Sequence, residues 1–246
     1  MQYQSLEDSP LSVGEFGPHT WALSLDGQVG PDEVPRLAHL LALRAPEGTD
    51  LMLWDETDDD PRVAIATAAG WRRFSGKVFV DGDLDDVGEV RIPDGWVLET
   101  YAELGEEEFA ARMLAAAAGD PSSPSTPETA VADLRELVAF AGDAFDPQAW
   151  FAIRDAAPIG VLLPQPYPED PLEGTIFYLG VVPERRGEGL GHRLYELGRQ
   201  MLRERGVVRQ VDSSEERNLP MLKVFALAGM RVVRSQGFFR RPQRVR

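Results

Sequence analysis

Between Tyr178 and Tyr195 the chain leaves an apolar run, Tyr178-Leu-Gly-Val-Val182, and crosses Pro183-Glu-Arg-Arg186. It then meets glycines at 187, 189 and 191 and enters a helical pattern from Leu190. Few architectures accept that order. Alternate glycines let the main chain turn tightly and admit close approach of another group. The N–H groups of such a turn converge on a helix N-terminus, where unpaired donors and the positive end of the helix dipole coincide. The segment reads as strand, anion-binding turn and helix, suited to a phosphate or pyrophosphate. Arg185 and Arg186 add mobile positive charge beside it.

Periodicity extends the α/β reading along the chain. Strands are expected at 21–25, 51–54 and 78–80, with helices at 34–44 and 62–69, the second stopped by Gly70. Residues 83–95 read as a connection. A strand at 96–100 follows, then a helix at 106–118 with glutamates in its first turn. Residues 119–127 hold three prolines among serines and read as a loop. A helix is expected at 128–141 and a hairpin at 150–154 and 159–163. Residues 164–174 read as a long loop. Beyond it come a strand at 175–182, a helix at 190–205, a strand at 207–211, a helix at 219–228, and two short strands near 231–234 and 238–240.

An internal repeat is visible. Pro61 to Gly70 has the spacing of Pro220 to Gly229, and the same displacement aligns Ile65 with Val224, Ala69 with Ala228, Trp71 with Met230 and Phe79 with Phe238. Strand–helix–strand–helix–strand order thus recurs at about 21–80 and 175–240.

The chain has 246 residues, room for one or two domains, and 43% hydrophobic residues, enough apolar surface to exclude a wholly disordered chain. It has no cysteine, which excludes disulfides, iron–sulfur clusters and a thiol nucleophile. Its three histidines argue against a His-rich metal site, and no metal is expected. A net charge of -16 argues against general nucleic-acid binding. No apolar run approaches the ~20 residues that cross a bilayer, and no signal peptide is readable, so a cytoplasmic protein without a membrane partner is expected. Acidic runs at 55–60 and 81–89 and the arginines from Arg231 onward read as solvated surface.

The glycine turn admits three readings. It can be a bare strand–helix turn. It can be a dinucleotide loop, with Asp212 near the ~20-residue spacing of the usual ribose-binding acid. Its glycines, however, run G-x-G-x-G and stand four residues off the strand. A P-loop fails, because no Gly-Lys-Ser/Thr follows. Third, Arg186-x-x-Gly189-x-Gly191 resembles the acyl-CoA pyrophosphate loop of the GNAT superfamily of N-acetyltransferases. Leu179-Gly-Val-Val-Pro-Glu184 is similar to the strand that leads into that loop. Asn218-Leu-Pro-Met221 through Phe225 to Gly229-Met230 resembles the family's downstream helix. The resemblance covers about 92–241.

The resemblance implies a mixed α/β sheet with flanking helices whose central strands splay at a bulge, and a partial copy of the same fold ahead of it. Residues 1–88 would be a degenerate structural copy, with Gln28-Val-Gly-Pro-Asp-Glu33 where the loop should stand. Residues 89–246 would be the catalytic domain. Acetyl-CoA is the implied co-substrate. Its pantetheine would pair with the main chain at Val181 and Val182. Its pyrophosphate would meet the amides of Arg186, Gly187, Glu188, Gly189, Leu190 and Gly191, with His192 beside it and Asn218 and Phe225 toward the cofactor arm. The implied reaction is direct attack of a primary amine, from a small molecule or a peptide, on the thioester. The family often places a tyrosine acid where this chain has Phe225. Tyr178 and Ser214 are the substitutes named here, with Ser213 and Tyr195 behind them and Glu173 as base. The plainer reading of Glu173 is a loop carboxylate, and that of Tyr195 a packing residue. Glu103, Glu106–Glu108 and Asp120 read as surface or as an acidic mouth for the amine. A non-catalytic acyl-CoA-binding or assembly module is the rival function, and a homodimer is compatible with either.

Overall fold

Asp60 accepts the N–H of Arg62 and Pro61 occupies the first turn, so helix α2 (Pro61–Ala68) starts on a capped first turn. The computed structural model describes residues 1–85, 87–120 and 125–242. Part of the expected Ser/Pro loop and the last arginines lie outside them. The chain divides into two compact units that are not contiguous in sequence. The first comprises 1–79, 214–217 and 233–246, and the second 80–213 and 218–232.

The first unit holds β1 (Tyr3–Ser5), β2 (Leu11–Gly17), β3 (Thr20–Leu25), α1 (Val34–Arg44), β4 (Asp50–Trp54), α2 and most of β5 (Arg72–Asp83). β1, β2 and β3 are antiparallel neighbours, and β3 and β4 are parallel, joined across α1. The other edge of β4 pairs with the last strand of the chain, β11 (Arg231–Arg240), in the register Gln236↔Trp54 to Phe239↔Leu51. Leu11, Leu23, Leu37, Leu41, Leu51, Ile65, Trp71 and Phe239 form the core. Trp71 donates its indole N–H to Thr49 O at 2.8 Å. β11 is one strand where two were expected, because its pairing to β4 runs straight through Gly237.

The second unit holds β6 (Val97–Thr100), α3 (Tyr101–Leu104), α4 (Glu106–Ala117), α5 (Ala130–Ala141), β7 (Phe151–Arg154), β8 (Pro158–Pro166), β9 (Glu173–Val181), α6 (Leu190–Glu204), most of β10 (Arg209–Glu215) and α7 (Leu219–Leu227). The strand order is β10-β9-β8-β7-β6, antiparallel throughout except for parallel β9 and β10. Alternate residues of β8 face opposite sides. Val161 and Leu163 join Phe109, Ala116, Leu134 and Trp150 under α4 and α5. Leu162 and Ile176 meet Gly198 of α6 on the other face, where a Cβ at 198 would lie 2.8 Å from Ile176. The expected loop at 164–174 is shorter, since β8 continues to Pro166. The order β3-α1-β4-α2-β5 recurs as β9-α6-β10-α7-β11, as the repeat implied.

Candidate functional site

β9 runs out at Val181, a single 3-10 turn spans Pro183–Arg185, and Gly189 caps α6. Gly187 and Gly189 hold φ of +87° and +76°, the left-handed region in which other residues are strained. Among the described residues, the N–H groups of Gly187, Glu188, Gly189, Leu190, Gly191 and His192 donate to no main-chain carbonyl. The first return bond of the helix is Arg193 N–H to Gly189 O. A Cβ on Gly187 or Gly189 would meet nothing within 4 Å, so the turn faces open space. An open crevice beside it is lined by Gly88, Glu89, Val90, His192 and Arg193. Unpaired N–H groups at the N-terminus of a helix can accept an anion.

The two arginines behave otherwise than expected. Their charge is pinned, not mobile. Arg185 pairs with Glu188 at 3.0 Å and with Asp155 at 3.2 Å. Arg186 donates to three carbonyls: Val181 O at 2.9 Å, Ala116 O at 3.0 Å and Ala118 O at 2.7 Å. Its guanidinium therefore satisfies orphan carbonyls at the C-terminus of α4 and ties them to the end of β9.

The expected splay is present. β9 and β10 pair only at Arg209↔Glu173 and Gln210↔Gly174 among the described residues, although both strands continue. On its other side β9 shifts register against β8 between Leu163↔Tyr178 and Pro164↔Ile176, leaving Phe177 as the extra residue of a bulge. Val182 N–H bonds to Ile159 O, and Val182 O accepts Arg185 N–H. The main chain of Val182 is thus committed, and its expected pairing with a cofactor arm is corrected. An antiparallel ladder alternates its bonding direction. Leu179 and Val181 therefore turn their N–H groups away from β8, toward the gap. Leu179 was not singled out from sequence, because only the register reveals its direction.

The other named residues scatter. Tyr178 lies over Gly180 and against Ala116. A Cβ at Gly180 would stand 3.0 Å from the Tyr178 hydroxyl. Burial, reinforced by the charge of Asp120 and opposed by Arg186, pushes that hydroxyl up to about 12. Glu173 sits where β9 and β10 are still paired and forms an ion pair with Arg209, which also holds Asp81. Ser213 is exposed. Ser214 belongs to the first unit, whereas Glu173 and Tyr178 belong to the second. Asn218 caps α7, its side-chain oxygen accepting Met221 N–H at 3.2 Å. Phe225 is buried, edge-on to Tyr195 with centroids 5.6 Å apart.

Tyr195 is part of a cluster that sequence reasoning left unassembled. Asp212, buried on β10, accepts the hydroxyls of Thr175 and Tyr195 at 2.6 Å each, Ile176 N–H at 2.8 Å and the Gln210 amide. Burial pushes the Asp212 carboxyl up, and these hydrogen bonds oppose it. Among the described residues no three His, Cys, Asp or Glu side chains are grouped to hold a metal, and no helix is long and apolar enough to cross a membrane.

Residues 112–230 match the family model described as Acetyltransferase (GNAT) family. The chain is 33% identical over 197 residues to the mycothiol acetyltransferase of Thermomonospora curvata, a match covering 78% of this chain and 64% of that protein. The chain thus spans under two thirds of that relative's length. Among solved structures it resembles a GCN5-related N-acetyltransferase from Sphaerobacter thermophilus, with a TM-score of 0.66 and 18% identity over 95% of this chain and 78% of the other. It also resembles a tandem GNAT protein from the clavulanic acid biosynthesis pathway, with a TM-score of 0.55 and 19% identity over 94% and 77%.

Proposed function

The chain belongs to the acetyltransferase (GNAT) family, and on that premise we propose that it transfers an acetyl group from acetyl-CoA to a primary amine by direct attack. One observation carries the reading. Among the described residues, six consecutive N–H groups at the tip of α6 have no main-chain acceptor, beside strands that have stopped pairing. Oriented donors of this kind fit a diphosphate. The residues from Gly187 to His192 would hold it. The crevice at Gly88–Val90 would receive the nucleotide end. The N–H groups of Leu179 and Val181 would meet the amide-bearing arm.

In the transfer, the amine nitrogen forms a bond to the thioester carbonyl carbon, the carbon–sulfur bond breaks, and the thiolate takes up a proton. Tyr178, neutral up to about pH 12, is assigned that proton. Glu173 is held by Arg209 at the closed end of the strand pair, so the amine is taken to arrive unprotonated. The first unit is assigned a structural role. Where the second unit has its glycine turn, the first has Pro31–Glu33, a 3-10 turn with two acids and no glycine of positive φ within it.

The acceptor class is a small-molecule or peptide amine. The relative named for mycothiol makes small molecules the first arm of the test. Thiol release from acetyl-CoA over an amine panel, beside calorimetric titration with CoA, decides the matter. Turnover on at least one amine is expected. Binding without turnover on any amine would favour the non-catalytic module, which the protonless Phe225 already recommends. No binding would overturn both.

A further inference from the structure

Asp212 stands at the point where β9 and β10 part. The last paired residues are Gly174 and Gln210. The next N–H on that edge of β9 belongs to Ile176, and in a continuing parallel ladder a β10 carbonyl would take it. Here the Asp212 side chain takes it instead, at 2.8 Å. A side chain reaches further than a main-chain carbonyl, so the substitution sets the strands apart at this step. The carboxylate is also full. Thr175, Ile176, Tyr195 and Gln210 give four donors to its two oxygens, and Asp212 is 5% exposed. A saturated, enclosed carboxylate has no lone pair left for an incoming amine. Its partners extend the cluster. Gln210 is held by Arg199 at 3.2 Å, and Arg199 caps Ala228 O at 2.7 Å. Tyr195 and Arg199 both lie on α6, the helix whose tip carries the glycine turn.

We infer that Asp212 is a positioning residue, a hydrogen-bonding wedge that fixes where the gap between β9 and β10 begins and ties the floor of that gap to α6. A polar wedge does what an apolar residue here would not. Leucine or valine would leave Ile176 N–H without its acceptor, and nothing would hold β9 to β10 at the step where the gap begins. The inference rests on the reading that this gap receives the arm of acetyl-CoA, but its first test does not.

That test is amide hydrogen exchange on the full-length, ligand-free chain, with the Val182 amide, bonded to Ile159 O, as internal reference. In Asp212→Val the exchange of Ile176 relative to Val182 rises about tenfold or more. In Asp212→Asn, which keeps an oxygen for Ile176, the ratio stays within about twofold of the parent. An unchanged ratio in Asp212→Val overturns the wedge. If that variant does not fold, Tyr195→Phe decides. It removes one hydroxyl from the carboxylate and keeps the ring against Phe225. Its expected result is an affinity for CoA weakened about fivefold, at a thermal midpoint within a few degrees of the parent's. Unchanged affinity overturns the tie to α6. Failure of the parent chain itself to bind CoA would bring down the reading of the glycine turn and leave the exchange result to judge Asp212 separately.

Discussion

Gly189 holds φ of +76° with open space where a Cβ would go, so substitution there separates strain from charge. Gly189→Ala costs about 1 kcal/mol of backbone strain and weakens CoA binding severalfold. Gly189→Glu adds a carboxylate at the proposed diphosphate position and abolishes binding. Calorimetric titration of both against the parent checks this, and equal affinities would remove the turn from the site. Tyr178→Phe keeps the ring over Gly180 and removes the assigned proton. Expected is a fall in kcat of about 10²-fold with KM for acetyl-CoA nearly unchanged. An unchanged kcat would take Tyr178 out of the chemistry. The turn was legible in the sequence because glycine spacing and the helix that follows are local signals. The fate of Arg186 was not. Two of its three acceptors, Ala116 O and Ala118 O, lie 70 and 68 residues away along the chain. The cluster at Asp212 was hidden for the same reason. It draws on β9, α6 and β10, and the sequence offered Asp212 only as a nucleotide-binding acid.

At the level of elements, Arg186 is the bond between a helix end and a strand end. Arg186→Met removes three charge-assisted hydrogen bonds and strands Ala116 O, Val181 O and Ala118 O. It should lower unfolding free energy by about 2 kcal/mol in urea titration. A loss near zero would mean that water replaces the guanidinium without cost. Element types were readable wherever apolar period was clear, as in α1, α6 and the β7–β8 hairpin. Extents were not. β8 runs through Pro164 to Pro166 because the register shift against β9 falls at Pro164, where a missing N–H does least harm. β1 and β2 went unread, since Leu11–Gly17 alternates weakly and carries two glycines. α3 went unread because four residues show no period. Its signal was the capping box of Thr100 and Glu103.

At the scale of the molecule, stability should depend on alkaline pH. Tyr101, Tyr167, Tyr178 and Tyr195 are all pushed up, chiefly by burial. The folded chain keeps phenolic protons that the unfolded chain releases from about pH 10. Stability therefore falls as pH rises from about 10 toward 12. Urea midpoints at pH 9 and pH 11 measure the slope, and Tyr178→Phe should make it shallower. The two units predict a second outcome. Ending the chain after Val232 removes residues 233–246, and with them the segment of β11 that pairs with β4. Limited proteolysis should then cut within the first unit while α6 stays protected. The internal repeat announced the order of strands and helices, but not that the last strand leaves the contiguous second half to complete the first unit. Sequence order carries no record of which edge a strand joins.

That exchange of a strand has a consequence for biosynthesis. The opening 79 residues leave the ribosome long before residue 233 is made, so β4 waits through most of translation with one flank bare. Bare flanks invite pairing with other chains. A message terminated after the glycine turn and before residue 233 would thus release a polypeptide that lacks the strip that seals its own beginning.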